Sequence, residues 1–196
     1  MPSTRALTLS DVALPRARGL ENTLLILGAS FVTALAAQLA VPVPGSPVPI
    51  TGQTFAVLLS GAVLGARRAL LAQLVYLAGG AIGLPVFAGG GAGFLTFMGP
   101  SGGYLLAFPL AAAVTGALAE RGWDRRFVTM LAAMLLGSVV IFAFGLAGLS
   151  RFVPGDRLLA TGLLPFVPGD LVKSSLAALA FPAAWNWVNR RNGSDA

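Results

Sequence analysis

Pro165-Phe166-Val167-Pro168-Gly169-Asp170-Leu171-Val172-Lys173 opens the last long hydrophobic run of the chain and holds its only lysine. The Pro168-Gly169 pair is expected to break any helix arriving from upstream, and Asp170 to N-cap the helix that follows. Asp170 and Lys173 are three residues apart, so on that helix they share a face. A carboxylate and an ammonium at membrane depth are costly, and such groups face a cavity or a partner. The plainer alternative is a helix cap beside a lysine that snorkels to the interface. The rest of the chain weighs between the two.

Of the 196 residues, 56% are hydrophobic and 10% charged, against roughly 25% charged in a soluble domain. The mean hydropathy is +0.83. Long apolar runs, rather than alternating segments of ~10 residues, define an integral membrane protein of the all-α class. At ~20 residues per crossing the length accommodates six transmembrane helices and no soluble domain. Cysteine and histidine are both missing, which removes disulfides, thiol chemistry and the usual metal ligands. The net charge of +6 does not indicate nucleic acid, because the basic residues fall between apolar segments instead of forming a patch. Arg16 and Arg18 precede a full-length apolar segment without a cleavage pattern, so no signal peptide is expected.

Residues 1–19 are polar and read as a loose tail. Helices are expected over about 21–40, 53–66, 69–82, 104–119, 127–149 and 171–189. The first is rich in small residues: Ala29, Thr33 and Ala37 recur at four-residue spacing, as do Ala36 and Ala40. Such a face allows close helix approach in lipid, either within this chain or against another membrane protein. The segment 41–49 holds four prolines and no charge, so it is neither helix nor a freely solvated loop. The helix after it reaches only ~21 Å at 1.5 Å per residue, short of a ~30 Å hydrocarbon core. The proline segment is therefore expected to dip into the membrane as a re-entrant or capping loop. Arg67-Arg68 mark a tight turn. Residues 83–103 form a second uncharged Gly/Pro-interrupted stretch, the kind that lines transporter sites. Its glycines match no dinucleotide fingerprint, and no Walker P-loop motif occurs. Phe152-Val153-Pro154-Gly155-Asp156 recurs as Phe166-Val167-Pro168-Gly169-Asp170. The first copy reads as an interfacial turn and the second as the site. Trp185 and Trp187 read as interface anchors.

Arg5, Arg16, Arg18, Arg67, Arg68, Arg121, Arg125, Arg126, Arg190 and Arg191 fall on one side of a six-helix arrangement, and Arg151 and Arg157 on the other. Ten against two places both termini in the cytoplasm. The proline segment, the glycine segment and the Pro-Gly-Asp stretch then meet on the outer side.

The sequence resembles the BioY family, the biotin-binding S components of energy-coupling factor (ECF) vitamin transporters. The resemblance rests on Pro49-Ile50-Thr51-Gly52-Gln53-Thr54, on Leu64-Gly65, on Tyr76-Leu77-Ala78-Gly79-Gly80 and on Gly83-Leu84-Pro85-Val86-Phe87-Ala88-Gly89-Gly90. It continues in Gly99-Pro100-Ser101-Gly102-Gly103-Tyr104 and Pro168-Gly169-Asp170-Leu171-Val172-Lys173. Each motif is weak alone, but together, in order over residues 20–190, they are specific. Ser101 stands where the family commonly has threonine and keeps the hydroxyl.

The resemblance implies a cytoplasmic tail over 1–19, a six-helix substrate-binding domain over 20–190 and a short cytoplasmic tail over 191–196. It implies high-affinity biotin uptake across the bacterial cytoplasmic (inner) membrane, without a cofactor. It implies a transmembrane coupling protein and two cytoplasmic ATPases as partners; the small face of the first helix, Ala29, Thr33, Ala36, Ala37 and Ala40, is where the spacing would let the coupling protein dock. Biotin offers two ureido N–H donors, a ureido carbonyl, an apolar thioether ring and a carboxylate. Asp170 can accept from a ureido N–H, and Lys173 can serve the ureido carbonyl or the carboxylate. Thr51 and Gln53 offer further polar groups, or else cap the short helix. Tyr76 supplies an aromatic wall or is a core residue. Phe87, with Gly89, Gly90 and Gly91 beside it, allows backbone to approach a flat ligand. Tyr104 closes the site or anchors its helix. An intramembrane enzyme is disfavoured by the lack of paired carboxylates, histidine and cysteine. Lys173 and the adjoining Ser174 and Ser175 do not face each other on a helix. A scaffold that only binds membrane partners would need neither Asp170 nor Lys173.

Overall fold

The computed structural model describes residues 6–14 and 19–193. Arg5, Arg16 and Arg18 lie outside the described residues, as do 194–196 and the side chain of Arg191. The elements in order are α1 (Leu9–Ala13), α2 (Leu20–Gln38), β1 (Ala40–Val41), β2 (Ile50–Thr51), α3 (Gln53–Leu64), α4 (Ala66–Ala81), α5 (Gly102–Ala119), α6 (Phe127–Leu149), α7 (Gly155–Gly162) and α8 (Val167–Gly193). Short 3-10 turns cover Ala88–Gly90, Phe94–Met98 and Trp123–Arg125.

Four described stretches are helical, long and apolar enough to cross a membrane: Leu20–Gln38, Gly102–Ala119, Phe127–Leu149 and Gly155–Val188, the last running over α7 and α8. The described chain is thus a largely helical membrane bundle. α3 and α4, of 12 and 16 residues, are shorter. α5 is the central helix and packs on α3, α4 and α6. Small residues permit this: a side chain on Gly116 would strike the backbone of Gly65 and Ala66, and one on Gly145 the ring of Tyr104.

Several expectations change at element ends. The proline segment is not only loop, because Ala40–Val41 and Ile50–Thr51 pair as a short antiparallel ladder. Arg67 and Arg68 do not form the turn between α3 and α4. The chain turns at Gly65, whose φ of +79° suits glycine, and both arginines lie in the first turn of α4. The Ala66 N–H donates to Glu120 Oε1 at 2.6 Å, a negative charge at a helix N-terminus. Pro168-Gly169 does not end a helix, and Asp170 is no N-cap. α8 begins at Val167, with Pro168 in the first turn where no N–H is needed. The Asp170 amide already donates to Phe166 O at 2.9 Å.

The small stripe of α2 is turned inward. Thr33 and Ala37 are fully buried, so they present no surface to a partner. Ala29, Ala36 and Ala40 are half-buried, and the Ala36 carbonyl accepts the Gly52 amide at 3.1 Å. The exposed face of α2 carries Leu24, Leu27, Phe31 and Leu35 instead.

The arginine-rich turns gather at one end of the bundle. The segment preceding α2 is not wholly loose: α1 is tied down by Arg68 Nη1 on Asp11 Oδ1 at 2.7 Å, and Leu7 O accepts from Arg125 at 3.0 Å. Burial alone would raise the Asp11 carboxyl, but the Thr8 amide and the Arg68 guanidinium outweigh it and hold it below the usual carboxylate value. Trp185 is buried here and is not an interface anchor. Its indole N–H donates to Asp124 Oδ2, and the Arg125 guanidinium lies 3.4 Å from its ring centroid. Trp187 is exposed.

Candidate functional site

At the end opposite Asp124 and Trp185, a cavity of about 190 Å³ opens between the proline and glycine segments and the helices. Val48, Ile50 and Thr51 come from the hairpin, and Gln53 and Thr54 from the start of α3. Phe87, Ala88, Gly91 and Thr96 come from the glycine segment. Ser101 lines it just before α5, Tyr104 and Phe108 along α5, Phe142 on α6, Phe166 just before α8, and Asp170 and Lys173 at the start of α8. The two uncharged segments and the Pro-Gly-Asp stretch do converge.

The walls are aromatic on two sides. Phe87 lies edge-on to Tyr76 with centroids 5.5 Å apart, and Tyr76 stacks on Phe108 at 6.4 Å. Across the cavity Phe166 tilts against Tyr104 and Phe142, each at 6.3 Å. Such faces suit an apolar ring system.

The polar groups are few and held. Asp170 Oδ1 accepts the Ser138 hydroxyl at 2.9 Å. The Lys173 ammonium donates to the Thr51 carbonyl at 2.8 Å. The Thr51 hydroxyl donates to Gln53 Oε1 at 2.9 Å and accepts the Gln53 backbone N–H at 3.3 Å, beside Gly52, the N-cap of α3. Gln53 Nε2 donates to the Tyr76 hydroxyl at 2.6 Å, which donates to Val86 O at 3.1 Å.

The expected site residues therefore divide. Asp170, Lys173, Thr51, Gln53, Phe87, Gly91 and Tyr104 line the cavity. Tyr76 is buried behind it and orients Gln53. Gly89 and Gly90 do not line it. Their φ values of +63° and +78° turn the chain, and the Phe87 amide then closes on Gly91 O at 3.0 Å. Their glycine character serves the turn that aims Phe87. Tyr104 lines the cavity while its hydroxyl donates to Gly162 O at 2.7 Å. The sequence reading missed Ser138, Thr54, Thr96, Phe108, Phe142 and Phe166 as site residues. Thr54 and Phe166 lie inside motifs quoted above and Thr96 inside the glycine segment, and Ser138 is a hydroxyl midway along an apolar helix; Phe108 and Phe142 carried no signal. Among the described residues no three His, Cys, Asp or Glu side chains gather.

A mostly apolar cavity with a few convergent polar groups, set in one end of a helical membrane bundle, defines a membrane-embedded small-molecule binding protein. The chain belongs to the BioY family, whose sequence model matches residues 7–190. It is 39% identical over 167 residues to the biotin transporter BioY of Rhizobium etli, covering 81% of this chain and 89% of that protein. It is 42% identical over 171 residues to the biotin transporter BioY of Rhodobacter capsulatus, covering 80% and 88%. With the probable biotin transporter BioY of Pyrococcus horikoshii it shares 40% over 148 residues, 76% of this chain and 86% of that one. Its fold is similar, with a TM-score of 0.78 and 26% identity, to the crystal structure of the S-component for biotin from an ECF-type ABC transporter. That similarity covers 87% of this chain and 95% of the other.

Proposed function

We propose that this protein captures biotin and serves its uptake as the substrate-specific subunit of an ECF-type transporter. The observation that carries the proposal is the aromatic-walled cavity with Asp170 and Lys173 one helical turn apart on its rim, in a chain whose relatives are named biotin transporters. The fused rings of biotin fit between the Phe87–Phe108 and Phe142–Phe166 walls. The Asp170 carboxylate accepts a ureido N–H. Lys173, released from Thr51, serves the ureido carbonyl or the tail carboxylate. The function is uptake and not catalysis.

In this proposal α3 and α4 complete six crossings, shortened by the hairpin and glycine segments that cap the outer side. The arginine-rich end lies in the cytoplasm, with both termini, and the protein is a multi-pass component of the cytoplasmic (inner) membrane. A transmembrane coupling protein and two cytoplasmic ATPases drive transport, with the half-buried Ala36 on α2 and Ala40 just beyond it on β1 offered to the coupling protein. The arginine asymmetry and the position of the cavity opposite those arginines support this orientation.

Binding of radiolabelled biotin to the purified protein tests the proposal. Saturable binding, displaced by unlabelled biotin and not by thiamine or riboflavin, is expected. No saturable binding by the folded protein, or equal displacement by the other vitamins, would remove biotin as the substrate.

A further inference from the structure

Ser138 sits midway along α6, buried, outside the cavity lining. A serine or threonine inside a helix ordinarily bonds back to a carbonyl of its own preceding turn. Other helical hydroxyls of this chain do so: Thr33 to Ala29 O at 3.0 Å, Ser60 to Val57 O at 2.6 Å, and Thr161 to Arg157 O at 2.9 Å. Ser138 instead reaches across to α8 and donates to Asp170 Oδ1 at 2.9 Å.

We propose that Ser138 is the positioning residue of the ligand-binding carboxylate. It acts if the cavity binds biotin as proposed above, and it acts through Asp170, since it does not line the cavity itself. The terminal torsion of an aspartate is broad and roughly two-fold, so an unrestrained carboxylate at the rim of a cavity swings. A hydroxyl donated to Oδ1 stops that rotation and leaves Oδ2 for the ligand. It also satisfies one lone pair of a group placed among aromatic rings, where an unpaired oxygen is costly. The anchor is rigid because the neighbouring Gly137 lies so close to α3 and α5 that a side chain there would strike Leu58 and Thr115. α6 thus presents a fixed hydroxyl to a carboxylate that α8 brings to the cavity.

Two measurements test this. The infrared difference spectrum between the parent protein and Asp170→Ala locates the Asp170 carboxyl band without any ligand. Ser138→Ala is expected to shift that band, and an unmoved band overturns the proposal whatever the protein binds. In biotin titrations Ser138→Ala is expected to weaken binding about tenfold, and Ser138→Thr, which keeps the hydroxyl, to recover most of it. In the Asp170→Ala background, Ser138→Ala is expected to make no further difference. An equal loss in both backgrounds would make Ser138 a packing residue. If the parent binds no biotin, the functional proposal fails by itself, and the band shift alone then decides whether Ser138 holds the carboxylate.

Discussion

Lys173 donates its ammonium to the backbone carbonyl of Thr51, 122 residues earlier in the chain, at 2.8 Å. The bond ties α8 to the end of the proline hairpin across the rim of the cavity. From Thr51 the contacts run on through Gln53 and Tyr76 to the carbonyl of Val86, beside Phe87. The lysine is therefore both a ligand candidate and a strut. Lys173→Met keeps the stem and removes the charge. It is expected to weaken biotin about ten- to a hundredfold, since a hydrogen bond to a charged group contributes roughly 1.5–3 kcal/mol. Biotinamide, which lacks the tail carboxylate, separates the lysine's two roles. If Lys173 pairs with the carboxylate, the amide binds the parent weakly and the substitution hardly weakens it further. If Lys173 serves the ureido carbonyl, both ligands suffer alike.

Asp170→Asn is expected to lower biotin affinity by a similar factor. The amide can still accept from Ser138 or from the ligand, but its NH₂ group faces a ureido donor in one of its two orientations. Parental affinity in both Asp170→Asn and Lys173→Met, with the fold intact, would remove the pair from the binding site.

Gly80→Ala is expected to damage the site without touching a polar group. A side chain at Gly80 would sit inside the Phe87 ring, and Phe87 is held between Tyr76 and Phe97, each at 5.5 Å. The ring's open side is the cavity that Phe87 lines, so relieving the clash pushes it there, and overpacking costs about 1–3 kcal/mol. Thermal unfolding should show the loss of stability, and biotin titration a displaced wall. A variant with parental stability and affinity would mean that the ring moves freely.

Residues within 41–52 and 88–103 are expected to be reachable from outside, and those near Arg67 and Arg121 from the cytoplasm. The chain has no cysteine, so single introduced cysteines and an impermeant thiol reagent read the orientation cleanly. Labelling beside Arg121 from the outer face of sealed, oriented vesicles would reverse it.

Asp124 supplies a pH dependence to stability. Burial pushes its carboxyl above the ordinary value, against the pull of the Trp185 indole and Arg125. The folded protein thus holds this proton more tightly than the unfolded chain does. The resulting stabilisation is complete below the unfolded value of about 3.9 and is lost as pH rises through the elevated folded value. Asp124→Asn keeps an acceptor for Trp185 and has no proton to lose. Its Tm should gain on the parent's as pH rises from about 4, and parallel Tm–pH curves for the two proteins would contradict this.

Hydropathy and spacing were enough to define a helical membrane protein, because both are local. The run 127–149 is α6 to the residue, since an uninterrupted apolar stretch between charged and polar ends can form little else in lipid. The shared face of Asp170 and Lys173 was legible for the same reason: a spacing of three on one helix fixes it wherever the helix goes. Helix ends were less legible at Gly65 and Val167, where a positive φ and a proline-tolerant first turn decided the boundary. What only the tertiary structure decided lies between distant segments. The inward roll of Thr33 and Ala37, the hydroxyl of Ser138 on Asp170, the indole of Trp185 on Asp124 and the ammonium of Lys173 on Thr51 each join separate elements. No periodicity encodes such contacts, because a side chain's partner across a helix interface depends on how the helices roll and slide against one another. That is settled by the packing of the whole bundle.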